Sequence, residues 1–216
     1  MLTLVIGDKN LSSWSLRPWI LLKQAGLDFG EVRLPLDTQQ FRDEIARYSP
    51  ARRVPVLLDG TTRVWDSLAI CEYVNELVGG EAWPNDPVAR AHARAVSAEM
   101  HSGFQALRST WSMRAALQGL QVPLGPDAAA DLERIDEIWR DCRDRYGSRG
   151  PWLFGHYSIA DAMYAPVVLR FNTYGAALSP AGRGYLQFAL EDESLREWIR
   201  GAERELAVEG RPAAHP

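Results

Sequence analysis

Cysteine is scarce: the 216-residue chain has two, Cys71 and Cys142. Two thiols build no disulfide framework, which excludes the small bridge-stapled secreted scaffolds. Basic charge is not in excess either. Lys and Arg number 24 against 28 Asp and Glu, a net charge of -4, so no electrostatic footprint points to nucleic acid or anionic lipid. No stretch reaches the ~20 consecutive apolar residues that a membrane-crossing helix needs. The opening Met1-Leu2-Thr3-Leu4-Val5-Ile6-Gly7-Asp8 lacks the charged start and long apolar run of a secretory signal. The sequon Asn10-Leu11-Ser12 then reads as chance, because glycosylation requires secretion. No His/Cys cluster has metal-ligand spacing, so no metal is expected. The reading is a soluble cytoplasmic chain of one or two domains, each large enough to bury a core.

What is present falls into two textures. Residues 1–78 alternate short strand-like runs with helical patterns. Leu2 to Ile6 reads as a buried strand ending at Gly7, and Leu16, Trp19, Ile20 and Lys23 then fall at helical spacing up to a stop at Gly26. Phe29 to Leu34 reads as a strand and Thr38 to Arg47 as a helix. Val56-Leu57-Leu58, a turn at Asp59-Gly60 and Thr62 to Trp65 read as a hairpin, closed by a helix from Ser67 to Leu77. That order implies an open sheet with helices packed on it. Residues 79–87, with Gly79, Gly80, Pro84 and Pro87, read as a linker.

Residues 88–207 read as an all-helical bundle. Phe104, Leu107 and Trp111 are placed on one face of a long segment starting near Val88. Leu132, Ile135, Trp139, Cys142 and Tyr146 form a second apolar stripe. Residues 158–174 and 193–207 supply two more helices, and Pro166 should bend the first. Residues 208–216, ending Arg211-Pro212-Ala213-Ala214-His215-Pro216, read as a flexible tail. The fold class is α/β followed by all-α.

Three short segments carry polar groups at element boundaries. Ser12, Ser13 and Ser15 precede or open the first helix, where a serine caps orphan amides or donates to an anion lodged there. Pro18 is expected in the first turn, whose amides lack intrahelical partners. Arg53-Val54-Pro55 leads into the hairpin. On composition alone its X-Pro bond is an ordinary trans bond at a strand start. Asp66-Ser67 opens the helix after the hairpin, with either residue as its N-cap.

Taken together, in this order and spacing, the three segments resemble the glutathione transferase superfamily, and the resemblance runs along nearly the whole chain. Ser12-Ser13-x-Ser15-x-Arg17 is similar to the serine motif of the zeta and related serine-type classes. Val54-Pro55 resembles the family's cis-proline, and Asp66-Ser67 its Glu/Gln-Ser pair. Gly155-x-x-Ser158-x-Ala160-Asp161 resembles a structural element of the helical domain and is physically a capping box. The resemblance implies a thioredoxin-like domain over residues 1–78 and a homodimer. It also implies glutathione as cosubstrate, with Ser12, or alternatively Ser13, donating to its sulfur. Val54 would pair by backbone with the cysteinyl part, Asp66 and Ser67 would hold the γ-glutamyl group, and Arg53 the glycyl carboxylate. Arg17 would be a structural ion-pair partner. The second-substrate pocket would fall to Trp14, His101, Phe104, Leu107 and Trp111.

Two departures matter. Asp66 is one methylene shorter than the usual Glu or Gln, and Trp14 stands where the zeta motif has Cys, removing that thiol and enlarging the apolar wall. Cys71 and Cys142 lie within helical patterns and read as inert thiols. The implied chemistry is quantitatively reasonable. Lowering a thiol from a pKa of ~8.5 by about two units requires ~2.7 kcal/mol. One charge-assisted hydrogen bond supplies roughly 1.5–3 kcal/mol, and a helix N-terminus adds ~0.3–1. The expected function is glutathione conjugation to small electrophiles or reduction of organic hydroperoxides. The alternatives are a zeta-like cis–trans isomerase acting on maleylacetoacetate, and a non-catalytic binding module.

Overall fold

The computed structural model describes residues 1–209. Its first half has the elements β1 (Leu2–Ile6), α1 (Ser13–Gln24), β2 (Phe29–Arg33), α2 (Gln39–Tyr48), β3 (Val56–Asp59), β4 (Thr62–Val64) and α3 (Ser67–Leu77). The four strands lie in the order β2-β1-β3-β4. β1 runs parallel to β2, with Leu4 opposite Glu31, and antiparallel to β3, with Leu4 opposite Leu57. The last three residues of β1, Leu4-Val5-Ile6, are apolar without alternation because both faces are covered there. Leu4 and Ile6 enter the main core with Leu16, Trp19 and Ile70, while Val5 points to the other face and packs with Leu34, Ile45 and Val56.

The second half is helical: α4 (Pro87–Ser102), α5 (Gln105–Thr110), α6 (Pro126–Tyr146), α7 (Ile159–Tyr174), α8 (Pro180–Leu190) and α9 (Glu193–Glu209). α7 is buried on all sides apart from Asn172, as a helix without a polar face must be. It continues through Pro166 without a break.

The structure departs from the sequence reading in four places. The long segment expected to carry Phe104, Leu107 and Trp111 on one helix is broken at Gly103. A Cβ there would lie 2.8 Å from the Glu99 carbonyl oxygen, and Phe104 follows in the left-handed region at φ 60°, so the chain turns and α5 begins anew. α8 was not foreseen, because Gly182 and Gly184 dilute its helical signal. α9 extends to Glu209, two residues past the expected end; the remainder of the expected tail lies outside the described residues. Finally, α1 starts at Ser13, which places Pro18 in its second turn and deprives the Trp14 carbonyl of its helical donor.

The capping box at the head of α7 is a buried network. One Asp161 carboxylate oxygen accepts from the Ser158 amide (2.9 Å) and hydroxyl (3.1 Å), and the other from the Leu153 amide (3.0 Å) and the Tyr185 hydroxyl (3.1 Å). Burial pushes this carboxyl up to about 6, against the opposing pull of those four donors. Asp161→Ala leaves buried donors unpaired and is expected to cost about 3 kcal/mol in urea unfolding followed by circular dichroism. A raised carboxyl contributes stability that is present at pH 4 and lost as pH climbs through 6. The cost of the substitution should therefore be larger at pH 4 than at pH 7; an equal cost at both would contradict the assignment.

Candidate active site

The turn from β1 into α1 is held from both halves of the molecule. Gly7 leaves room at its start, since a Cβ there would come within 2.9 Å of the Leu36 side chain and 3.1 Å of Ser12 Cβ. Asp8 accepts from the Leu36 amide at 2.8 Å and pairs with Arg33. The Lys9 carbonyl accepts from Trp198 Nε1 of α9 at 2.8 Å, and the Lys9 amide donates to Glu205 at 2.8 Å. Asn10 accepts from the Ala115 amide through its carbonyl (3.1 Å) and from the Ala116 amide through its side chain (3.0 Å).

This turn delivers Ser12 to the N-cap of α1, where its side chain makes no capping bond to the backbone amides of the first helical turn. Its hydroxyl instead lies 2.7 Å from the Ser15 hydroxyl, and the Ser15 oxygen accepts from the Gly7 amide at 3.2 Å. Ser15 is thus a buried link between strand end and helix start, rather than the cap expected of it. Either hydroxyl can donate in this pair; when Ser15 does, the Ser12 proton is free for a ligand. Ser13 is buried beside it in the first turn.

Across the cleft, a cavity of about 300 Å³ opens at the N-terminus of α3. It brings together six residues singled out from the sequence: Trp14, Arg53, Val54, Pro55, Asp66 and Ser67. Ala51 and Trp65 complete it and were missed, although Trp65 adjoins Asp66 and is 46% exposed, an unusual position for tryptophan. The Val54–Pro55 bond is cis, contrary to the reading from composition and in line with the resemblance. Asp66 is the N-cap of α3 and accepts from the Leu68 amide at 2.8 Å. The buried Ser67 hydroxyl has no hydrogen-bond partner among the described residues. A helix start with a free hydroxyl and an exposed carboxylate can hold both ends of an amino acid group.

Trp14 is enclosed by charge. The Arg17 guanidinium lies 4.3 Å from its ring centroid and the Arg108 guanidinium, from α5, 4.4 Å. The His101 ring meets it edge-on at 5.3 Å. His101 Nε2 in turn lies 3.3 Å from Asp66 Oδ2, joining the end of α4 to the cap of α3. Burial pushes the His101 pKa down, Asp66 opposes that, and Arg17 and Arg108 push it further down. The ion pair expected of Arg17 does not form: among the described residues its Nε and Nη1 have no hydrogen-bond partner. Asp66, whose field it feels, is already engaged by His101 and the Leu68 amide. Burial above all, then Arg108 and Arg170, bring the Arg17 pKa down to about 9, so it remains a cation at neutral pH.

The other residues singled out lie elsewhere. Leu107 is fully buried, Phe104 nearly so, and Trp111 stacks on Tyr174 and donates to the Val122 carbonyl; none of the three lines the cavity. Cys71 and Cys142 are both buried; burial raises both thiols, Cys142 to about 12. Neither is thiolate at neutral pH. Among the described residues no group of His, Cys, Asp and Glu could hold a metal ion, and no helix is long and apolar enough to cross a membrane.

Residues 11–77 match the family described as Glutathione S-transferase, N-terminal domain, and residues 124–201 its C-terminal domain. Maleylacetoacetate isomerase of Rattus norvegicus is 30% identical over 178 residues, covering 80% of this chain and 79% of the relative. The probable maleylacetoacetate isomerase of Caenorhabditis elegans is 33% identical with the same coverage. The chain belongs to the glutathione S-transferase family. Among solved structures, a glutathione transferase homolog from Burkholderia gl BGR1 with bound glutathione superposes with a TM-score of 0.70 at 24% identity, covering 94% of this chain and 98% of that one. Human glutathione S-transferase T1-1 gives the same score and identity, covering 100% and 94%. Family and fold are those the sequence resemblance implied.

The Ser15 link is testable by itself. Ser15→Ala strands the buried Gly7 amide and is expected to cost about 1–3 kcal/mol in urea unfolding. A loss below about 0.5 kcal/mol would show that the link carries no stability.

Proposed function

We propose that this glutathione transferase holds glutathione in the cavity at the head of α3 and ionises its thiol at the head of α1. Asp66 takes the γ-glutamyl amine, the Ser67 hydroxyl and the α3 amides take its carboxylate, the Val54 backbone pairs with the cysteinyl part, and Arg53 takes the glycyl carboxylate. Ser12 donates to the sulfur, with Ser13 as the alternate donor. The observation that supports this reading is the meeting of Arg53, Val54, Pro55, Asp66 and Ser67 around one cavity whose remaining wall includes Trp14 of the same turn as Ser12. With Ser15 donating to it, the Ser12 hydroxyl is a better donor to a thiolate, because hydrogen bonds in a chain polarise one another.

The thiolate then attacks a small electrophile or reduces an organic hydroperoxide. The second substrate enters from the side of Trp14 and His101. The working assembly is a cytoplasmic homodimer, with residues 1–78 as the glutathione-binding domain, 79–87 as linker and 88–207 as the helical domain. A second reading, cis–trans isomerisation with glutathione used transiently, is favoured by the two maleylacetoacetate isomerases among the relatives.

Calorimetry with glutathione tests the binding claim directly, and absence of heat would remove it. In the binary complex, Ser12→Ala is expected to raise the thiol pKa by one to two units, read as thiolate absorbance against pH, and to lower kcat/KM about 10- to 100-fold. An unchanged titration would remove Ser12 from the role. Turnover of 1-chloro-2,4-dinitrobenzene, cumene hydroperoxide and maleylacetoacetate separates conjugation, reduction and isomerisation.

A further inference from the structure

Two guanidinium groups lie over the Trp14 ring, Arg17 at 4.3 Å and Arg108 at 4.4 Å from its centroid, and the His101 ring meets it edge-on. Neither guanidinium is neutralised. Arg17 is 1% exposed with two nitrogens unpartnered among the described residues. Arg108 is half-buried, and its one hydrogen bond among the described residues is from Nη1 to the Gly103 carbonyl at 3.3 Å. It forms no pair with an acid there. Asp66, the carboxylate within reach of this cluster, is already shared between His101 and the α3 amide. A buried or half-buried cation without a counter-charge is costly unless something supplies one, and a guanidinium offers a planar, two-pronged match to carboxylate or sulfonate.

We infer that Arg108, held against Trp14 beside the buried charge of Arg17, selects electrophiles that carry an anionic group. The inference rests on the glutathione reading and adds the substrate class to it. Arg108 is a specificity residue: it pairs with the anionic substituent of the electrophile, while sulfur attack occurs elsewhere on the same molecule. Trp14, which lines the cavity, is the ring against which Arg108 rests, so the charge lies one side chain behind the cavity wall.

The test is a matched pair of aryl chlorides, 4-chloro-3,5-dinitrobenzoate and 4-chloro-3,5-dinitrobenzamide. In both reactions the thiolate sulfur forms a bond to the ring carbon, chloride leaves with the C–Cl electron pair, and the thiol proton passes to solvent. Each kcat/KM is divided by the uncatalysed rate constant with glutathione. The expected result is a wild-type preference for the carboxylate of about tenfold, the size of one charge-assisted contact. The preference should collapse towards unity in Arg108→Gln, survive in part in Arg108→Lys, and shrink with added salt. A wild-type ratio at or below unity, or a ratio unchanged in both variants, overturns the inference without touching the glutathione reading. Binding of the preformed glutathione conjugates of the two compounds, measured by calorimetry on the wild-type protein, reads the same preference where turnover is slow. Equal affinities overturn the inference, and glutathione itself failing to bind overturns both it and the reading beneath it.

Discussion

The six-residue turn between β1 and α1 is the constraint on which the site depends. It is too short to be rigid on its own, yet it must present Ser12 and Trp14 in fixed positions. Its backbone polar groups are satisfied by residues that arrive from far along the chain, Trp198 and Glu205 from α9 and Ala115 from the segment after α5, and its Asn10 side chain by the Ala116 amide. The two halves are therefore not independent lobes with a site in between. The helical half completes the hydrogen bonding of the turn that carries the candidate catalytic serine. A change in α9 that weakens the Trp198 contact reaches the active site through the Lys9 carbonyl, with no ligand contact involved.

The same dependence explains which parts of the molecule can be read from the sequence. Segments whose chemistry is local are legible. Asp66 caps α3 through a bond to Leu68, two residues on, and Ser158 and Asp161 form a box within one helical turn. The β1 run is legible for a different reason: with Leu4 and Ile6 on one covered face and Val5 on the other, its last three residues are apolar without alternation. Assignments that needed a distant partner were beyond reach. Nothing in the sequence near Ser15 says that its hydroxyl reaches back to Gly7, and nothing near Arg108 says that it meets Trp14.

The errors at α4 and α8 have physical causes of a related kind. The apolar spacing of Phe104, Leu107 and Trp111 is real, and Leu107 is fully buried. Periodicity, however, registers burial and not continuity of the helix. α4 ends at Gly103, whose extended backbone brings the Cα so near the Glu99 carbonyl that a Cβ there would lie 2.8 Å from its oxygen, and the chain resumes as α5 with Leu107 still buried. At α8 the reverse holds: a short helix containing two glycines is stabilised by Ser179, which caps it and bonds Asp136 of α6. Its existence comes from tertiary support that propensity does not record.

Arg17 shows why placing a charge matters as much as pairing it. A lone buried guanidinium would be expected either to find an acid or to be replaced by an apolar residue of similar size. It does neither, and its pKa is depressed chiefly by burial. A ring face offers partial compensation without neutralising the charge, since attraction to the π-system is worth less than a salt bridge in the same place. The result is a buried positive charge retained against the Trp14 ring, 4.3 Å from its centroid, on the helix whose N-terminus carries a partial positive charge of its own. An acid paired with Arg17 would stabilise the fold more and would cancel that charge. Among the described residues Asp66, the carboxylate whose field Arg17 feels, is engaged by His101 and the α3 amide, so the guanidinium stays unneutralised.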